Sequence, residues 1–578
     1  MAAAIRQKAY SNRRLVIVIL LAVAWLTLSV RAVYLQVIDR DFLTQQGDAR
    51  QQRVVKEPAY RGVITDRNGE PLAVSTPVDS LWVNPSEVLQ NRKTIYTLAK
   101  ELKLPGEELA RRLMALRDRE FVYVLRHLPP ARADEVKALK LQGVYFQREY
   151  RRYYPTVEVS AHLLGFTNID DAGQEGIELA FDKKLAGQPG SKRVIRDRLG
   201  YVVEDLEEIK QAQAGQDVQL SIDARLQYLA YRELKATMQK THATSGSVVM
   251  LDAYTGEVLA MANQPSFNPN NRSVRRGDLY RNRAITDVFE PGSTIKPFAL
   301  AAAIETGAYK ADSKIDTNPG RLQVNNLTVK DHKNLGVISL TDIIQYSSNV
   351  GMSKIALSMP GSTLWNAYNS VGFGRNTQSG FPGESSGYLT NASRWVPVDK
   401  ATIAYGYGVS VTPLQLAHAY AVLANGGRDV PISLLPKKSN ANFLDAPRVF
   451  SETTVRSVRA MLHAVVTEEG TGRKARIQGY EVAGKTGTSL KNMNGGYKES
   501  RYVSIFAGMA PATRPRLVTV VVVNDPRGSL YYGGDVAAPV FSQVTGEALR
   551  LLNVAPDDPQ SLLAQSALPI VVAHEDRT

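Results

Sequence analysis

The chain has 578 residues, with 70 Lys+Arg against 56 Asp+Glu, a formal net charge of +14 and no Cys. Disulfides and thiolate metal ligands are thereby excluded, and the seven His show no His-x-x-x-His spacing, so no metal is assigned. The positive charge raises nucleic acid as a partner, but the basic residues are dispersed and no helix-turn-helix, zinc-finger or RNP pattern occurs; a cationic surface facing lipid headgroups and wall polymers is the simpler reading.

Leu15–Val30 carries no charge, and the apolar character resumes past Arg31 to Ile38. As a helix the shorter run reaches about 24 Å and the longer about 36 Å, against a hydrocarbon core of ~30 Å. The span is therefore placed at 15–38, with Arg31 snorkelling at the outer interface. Arg6, Lys8, Arg13 and Arg14 precede it, which puts a tail, residues 1–14, in the cytoplasm. A cleavable signal peptide is the rival. Val30-Arg31-Ala32 is a poor small-residue cleavage site, so an uncleaved anchor is preferred.

Further along, Gly246–Leu251 and Val258–Asn263, joined through Tyr254-Thr255-Gly256, read as a hairpin. Glu290-Pro291-Gly292 breaks the chain before Ser293. The Ala/Leu/Ile-rich run Ala299–Thr306 then continues as helix up to Gly307, a C-cap. Ser293 falls at a helix N-terminus, where the dipole and free N–H groups favour a developing oxyanion, and Pro297 falls close to the first turn. Leu340–Tyr346 and Val350–Leu357 read as short helices with Ser347-Ser348-Asn349 as the loop between them. Tyr480–Ser489 alternates as a strand, a turn at Asn492–Gly496 follows, and Tyr502–Ala507 and Leu517–Val523 are β-rich. Strands at both ends with a helical middle indicate an α/β arrangement of sheet and helices. From about Pro556 the chain turns polar, with a short apolar run, Leu568–Ala573, in what reads as a tail. Neither GxGxxG nor a P-loop is present, and no cofactor is expected.

Ser293-Thr294-Ile295-Lys296 is the only Ser-x-x-Lys in the chain. A Ser hydroxyl is a poor nucleophile at neutral pH and needs a base. A Lys three residues later on a helix lies on the same face, one turn along. A second hydroxyl and an amide near Ser347–Asn349 can relay the proton and hold the substrate. Lys485, in Lys485-Thr486-Gly487-Thr488, adds a second ammonium that pushes Lys296 toward its neutral, basic form. Each motif alone is weak. Ser and Lys are common on solvated helices, Lys-Thr-Gly is more often a strand entering a turn, and Ser266-Phe267-Asn268 also fits Ser-x-Asn. That last match precedes the nucleophile and reads as a polar turn before Pro269. The order and uniqueness of the set carry the reading.

These residues resemble the class B (monofunctional) penicillin-binding proteins, and more narrowly the division-specific D,D-transpeptidase, penicillin-binding protein 3 type, of Gram-negative bacteria. The resemblance runs from the anchor to about residue 550. It implies acylation of Ser293, Lys296 as general base, Ser347 in proton relay and Asn349 on the substrate amide. It also implies that Lys485, with Thr486, Gly487 and Thr488, binds the terminal carboxylate, and that the backbone N–H groups of Ser293 and Thr488 form the oxyanion hole. Gly406–Gln415 and Tyr531-Tyr532-Gly533-Gly534 look like family segments too. So do Arg61–Gly69, Arg152–Pro155 and Gly173–Glu178, in the family's pedestal. Read blandly, Asp66–Gly69 is a hairpin turn and Glu175/Glu178 a solvated helix face; these residues are taken as structural, not catalytic.

The fold so implied is a transmembrane helix, an elongated α+β pedestal or dimerisation-type domain at 39–215, a serine β-lactamase-like transpeptidase domain at 216–555 with an antiparallel sheet and helices, and a tail at 556–578. The implied setting is the bacterial inner membrane, single-pass, with the catalytic domain periplasmic. Implied partners are stem peptides ending in D-Ala-D-Ala, β-lactams, a polytopic glycosyltransferase and other membrane proteins of the division machinery. The short stretch 39–60 leaves no room for a polymerising domain. Tyr502, Tyr531 and Tyr532, on or beside strands near Lys485, are expected as an apolar wall over the substrate, with half-buried strand aromatics as the rival reading. A β-lactamase or D,D-carboxypeptidase would need a carboxylate to activate water, and Glu384 and Glu468-Glu469 do not sit in that setting. A pure scaffold would not need the complete Ser/Lys/Ser/Asn/Lys set, and the fourteen or so residues before the anchor are too few for the signalling domain of a penicillin sensor. Division rather than elongation rests on the resemblance alone.

Overall fold

The computed structural model describes residues 2–43, 52–196, 202–271, 277–437, 445–493 and 496–561; the Leu568–Ala573 run lies outside the described residues. Helix α1 covers Ala2–Val33 and widens into a π turn over Tyr34–Ile38. Residues 13–38 are long and apolar enough to cross a membrane. The 1–14 segment expected as a tail opens this same helix, since no Pro or Gly interrupts it. The Arg31 guanidinium stands 5.3 Å from the Tyr34 ring centroid.

The described chain folds as two compact units. The first takes residues 1–60, 77–151 and 187–215. It contains an antiparallel sheet of Gln52–Glu57, Gly190–Arg196 and Val202–Lys210. Its core gathers Ile95, Leu98, Leu109, Leu113, Val122 and Val124. The spacing of Ile95, Leu98, Ala99 and Leu102 makes one apolar stripe on the helix Arg92–Leu102, and Asn91 caps that helix by accepting from Lys93 N–H.

The second unit takes residues 61–76, 152–186 and everything from 216 onward, so two segments within 39–215 belong to it. Here the bland reading of Glu178 as solvated is corrected. The carboxylate is fully buried, with Arg61 at 2.7 Å and Arg152 at 2.6 Å, and Arg61 also reaches Asp182 at 2.8 Å. Two buried guanidinium groups cannot remain without anions, so Glu178 is inside because its partners are. Burial also pushes the Asp171 carboxyl up to about 6. The Asp66–Gly69 turn is present, and Asp66 additionally accepts from Ala224 N–H at 3.0 Å.

The sheet of this unit has five antiparallel strands: β1 (Ser245–Asp252), β2 (Val258–Gln264), β3 (Ala483–Met493), β4 (Gly496–Ala510) and β5 (Leu517–Asn524), in the order β2-β1-β5-β4-β3. The hairpin β1–β2 turns where Tyr254-Thr255-Gly256 indicated. Strand β3 starts later than expected and runs past Asn492, because Asn492 pairs with Tyr497 and Met493 with Gly496; cross-strand pairing overrides the local turn signal. The turn tip, 494–495, lies outside the described residues. Strands β1 and β2 are buried at every position and β5 at all but its last, which requires cover on both faces.

Helices α2 (Ala224–Thr241), α6 (Pro413–Ala424) and α7 (Gly533–Leu551) pack on this sheet, and α3 (Lys296–Glu305), α4 (Leu340–Gln345) and α5 (Asn349–Ser358) pack on one another. Helix α6 is buried at all of its positions and packs on β1, β4 and β5. A helix apolar all round belongs in the middle of a domain. The antiparallel sheet with helices is the expected fold.

Candidate active site

Gly292 takes a left-handed φ of +53° and starts a 3-10 turn, Gly292–Ile295, that carries Ser293. Helix α3 begins at Lys296 with Pro297 in its first turn, where a missing N–H costs nothing. It ends at Glu305, and Gly307 follows with a φ of +76°. Strand β3 passes tightly against the Ser293 turn. A Cβ at Gly487 would stand 2.8 Å from Thr294 Cγ2 and 3.0 Å from Pro291 O, so only Gly allows this approach. On the other side Gly406 packs on Gly292, where a Cβ would lie 2.1 Å from the Gly292 carbonyl oxygen.

Lys296 and Lys485 are both fully buried. Lys296 Nζ contacts Ser347 O at 2.6 Å, Asn349 Oδ1 at 2.8 Å and Ser347 Oγ at 3.2 Å. The expected contact with Ser293 is not made. Among the described residues Ser293 Oγ has no hydrogen bond. Lys485 Nζ, from β3, approaches Ser347 Oγ at 3.1 Å and Thr486 O at 3.2 Å. The Ser347 hydroxyl thus lies between two buried amines. Ser347 has a left-handed φ of +62°, and Ser348 caps α5 by accepting from Gly351 N–H at 2.9 Å. The loop expected over Ser347–Asn349 is corrected accordingly. Asn349 is the first residue of α5, because the cap at Ser348 starts the helix there.

Burial, and then the charge of Lys485, hold Lys296 well below the usual lysine range, with Asp331 acting in the opposite sense. Burial alone pushes Lys485 down to about 7. A neutral amine has two N–H groups and one lone pair. When Lys296 is neutral, its two N–H groups are taken by the Ser347 carbonyl and the Asn349 Oδ1, which can only accept, and its lone pair is then left for the Ser347 hydroxyl proton. That arrangement is one that can move protons between hydroxyl groups and Lys296.

A cleft of about 610 Å³ opens above these groups. Ser293, Ser347, Asn349, Thr486, Thr488, Tyr502, Tyr531 and Tyr532 all line it. Lys296, Lys485 and Gly487 lie beneath it. The Tyr502 and Tyr531 rings stack at 4.2 Å, and the Tyr531 and Tyr532 rings are 4.4 Å apart. Strand β3 is the sheet edge, so its outer N–H and C=O groups face a ligand in extended conformation. Other residues take part that spacing did not single out. Thr471 Oγ1 is 2.8 Å from Thr486 Oγ1, His332 and Tyr407 line the cleft, and Asp331 binds the start of α5. Of these only Tyr407 lay in a segment marked in the sequence. Glu384 is tied to Thr377 and Ser379, Glu468 to Arg476 and Glu469 to Tyr346, and none of the three lines the cleft.

The depressed Lys485 has a measurable consequence. Between about 7 and its ordinary 10.5, the folded protein binds fewer protons at this group than the unfolded chain does. Stability from this group therefore rises with pH through that window and is absent below it. We expect Lys485→Met to melt higher than the parent protein at pH 6.5, with the advantage shrinking toward pH 10. A difference in Tm that stays constant across that range would contradict the neutralisation of Lys485.

The sequence model of the penicillin binding protein transpeptidase domain matches residues 246–546, and that of the penicillin-binding protein dimerisation domain matches 56–220. Peptidoglycan D,D-transpeptidase FtsI of Escherichia coli K12 is 45% identical over 548 residues, covering 93% of this chain and 91% of that protein. The probable peptidoglycan D,D-transpeptidase PbpC of Pseudomonas aeruginosa is 42% identical over 551 residues, 95% of this chain and 96% of its own. Among solved structures, the apo TP domain of Burkholderia pseudomallei penicillin-binding protein 3 is 39% identical, with a TM-score of 0.54, covering 58% of this chain and 97% of that one. A peptidoglycan synthetase from Bifidobacterium adolescentis is 25% identical, with a TM-score of 0.69, covering 88% and 98%.

Proposed function

The chain belongs to the class B penicillin-binding proteins, serine-type peptidoglycan D,D-transpeptidases, and we propose that its reaction runs through an acyl-enzyme on Ser293. Its substrates are peptidoglycan stem peptides, and β-lactams bind it covalently. The observation that carries the site assignment is the pair of buried lysines meeting on Ser347 Oγ beneath the cleft that Ser293 lines. In this reading Ser293 Oγ attacks the penultimate D-Ala carbonyl as its proton passes to neutral Lys296. The oxyanion is held by the backbone N–H groups of Ser293 and Thr488. The tetrahedral intermediate collapses, the peptide C–N bond breaks, and D-Ala leaves with a proton returned through Ser347. An amine of a second stem then attacks the acyl carbon, gives up its proton by the same route, and Ser293 leaves as the hydroxyl. Lys485, Thr486 and Thr488 take the terminal carboxylate, Asn349 the substrate amide, and Tyr502, Tyr531 and Tyr532 form the aromatic wall. Gly487 allows β3 to lie close to the nucleophile.

The proposed setting is septal wall synthesis. It is supported by similarity to FtsI across nearly the whole chain, with α1 as the anchor, the N-terminus cytoplasmic and the catalytic unit periplasmic. A polytopic glycosyltransferase and other division proteins of the membrane are the proposed partners, and the domain limits of 39–215 and 216–555 are kept as the working division.

The test is the mass of the intact protein after exposure to a labelled penicillin, followed by peptide mapping. We expect one adduct per chain, on the peptide that contains Ser293. We also expect the adduct to outlive many turnovers of an ordinary enzyme, because the carboxylate that lines the cleft among the described residues, Asp535, is engaged by Lys474 at 2.7 Å instead of being left to activate water. A missing general base costs about 10²–10⁴-fold. Clearance of penicillin within seconds, many molecules per enzyme, would place the chain among the hydrolases.

A further inference from the structure

Asp331 follows the strand Leu327–Lys330 and does not line the cleft. One of its carboxylate oxygens accepts from the backbone N–H groups of Asn349 at 2.6 Å and Val350 at 3.0 Å. The other accepts from Ser348 Oγ at 2.6 Å. The two N–H groups are the first donors of α5, which have no partner inside the helix, and an anion at that end is favoured by the helix dipole. The same carboxylate therefore fastens three consecutive residues directly after Ser347. A left-handed φ on a serine persists only where its surroundings over-determine it. Ser347 and Asn349, on either side of Ser348, are the two residues that grip Lys296 Nζ.

We propose that Asp331 is a positioning residue for acylation: by fastening the first turn of α5 it holds Ser347 and Asn349 where they cage the Lys296 amine beneath the cleft that Ser293 lines. The proposal rests on the reading of Ser293 and Lys296 as nucleophile and base. Asp331 touches neither the nucleophile nor the cleft, so it acts through Ser348, Asn349 and Val350. It also acts through charge. The charged groups that bear on Lys296 are Lys485 from β3, which lowers its proton affinity along with burial, and Asp331, which raises it.

The experiment measures the second-order rate of acylation by a fluorescent penicillin from pH 5 to 10, on the full chain in detergent. The parent protein, Asp331→Asn and Ser348→Ala are compared, with Tm recorded for each. Asp331→Asn keeps the shape and removes the charge. It is expected to lower the rate about tenfold or more, since a small misplacement of a catalytic group is costly. It is also expected to move the acidic limb of the profile to lower pH, because Lys296 then loses its proton more readily. An acidic limb that stays in place overturns the proposal, whatever happens to the rate, because a merely structural role would not move it. If Asp331→Asn fails to fold, Ser348→Ala decides. It removes one of the three bonds to Asp331, together with the Gly351 cap that fastens the same turn, without changing charge, and it should slow acylation severalfold with the limb unmoved; a rate equal to that of the parent overturns the proposal. A parent protein not acylated at Ser293 would sink the underlying reading, whereas a labelled parent with an unmoved Asp331→Asn limb sinks only the positioning role.

Discussion

Ser293→Ala is expected to abolish covalent labelling by β-lactams and the release of D-Ala, while Tm stays within a few degrees of the parent value. The loss should be complete because, in the proposed reaction, the hydroxyl oxygen is the atom that forms the acyl bond. Ser347 Oγ is already engaged by both buried lysines, at 3.2 Å and 3.1 Å. The fold should survive because Ser293 Oγ has no hydrogen bond among the described residues, so its removal leaves no buried partner unsatisfied. The measurement is intact-mass spectrometry beside a thermal melt. An adduct of the same mass on the folded variant would move the nucleophile elsewhere.

Lys296→Arg is expected to slow acylation by about 10³-fold or more, although it retains a positive charge. Two physical reasons act together. A guanidinium stays protonated at every pH a folded protein tolerates, so it cannot accept the Ser293 proton. The loss of a general base alone costs about 10²–10⁴-fold. In addition, Lys296 is fully buried with its Nζ in contact with Ser347 O, Ser347 Oγ and Asn349 Oδ1, a cage with room for a compact amine rather than a planar fork. Lys296→Met separates the two effects: it fits the slot and lacks any base, so it should be as slow as Lys296→Arg while melting no lower. A Lys296→Arg rate within about tenfold of the parent, roughly 1.4 kcal/mol of barrier, would assign the base to another group.

Much of the site was legible because its chemistry is local in sequence. Ser293 and Lys296 are one turn apart, Pro297 suits a first helical turn, and Gly307 ends the helix where expected. The hairpin β1–β2 was legible because a Thr-Gly turn separates two apolar runs, whereas Lys485–Ser489 is held in strand β3 by its pairing with β4. The errors came where distant parts of the chain meet. Glu178 looked like a charge on a solvated helix, and only the arrival of Arg61 and Arg152 makes a buried carboxylate tolerable. Asn492 looked like a turn residue, and pairing with Tyr497 kept it in the ladder.

By itself, then, the amino-acid order determined the membrane-length apolar helix, the class of fold and the set of groups able to carry acyl transfer, since each depends on periodicity or on spacing within one element. Tertiary structure decided how those groups are charged and held. The burial that lowers the proton affinity of Lys296 and Lys485 is a property of the packed domain, because desolvation depends on every element laid over the amine and not on its neighbours in the chain. The same holds for the turn at Ser347, which Asp331 fastens from a separate segment. It holds too for the close approach of β3 to the Ser293 turn, which requires Gly487 only because a sheet edge and a 3-10 turn meet there.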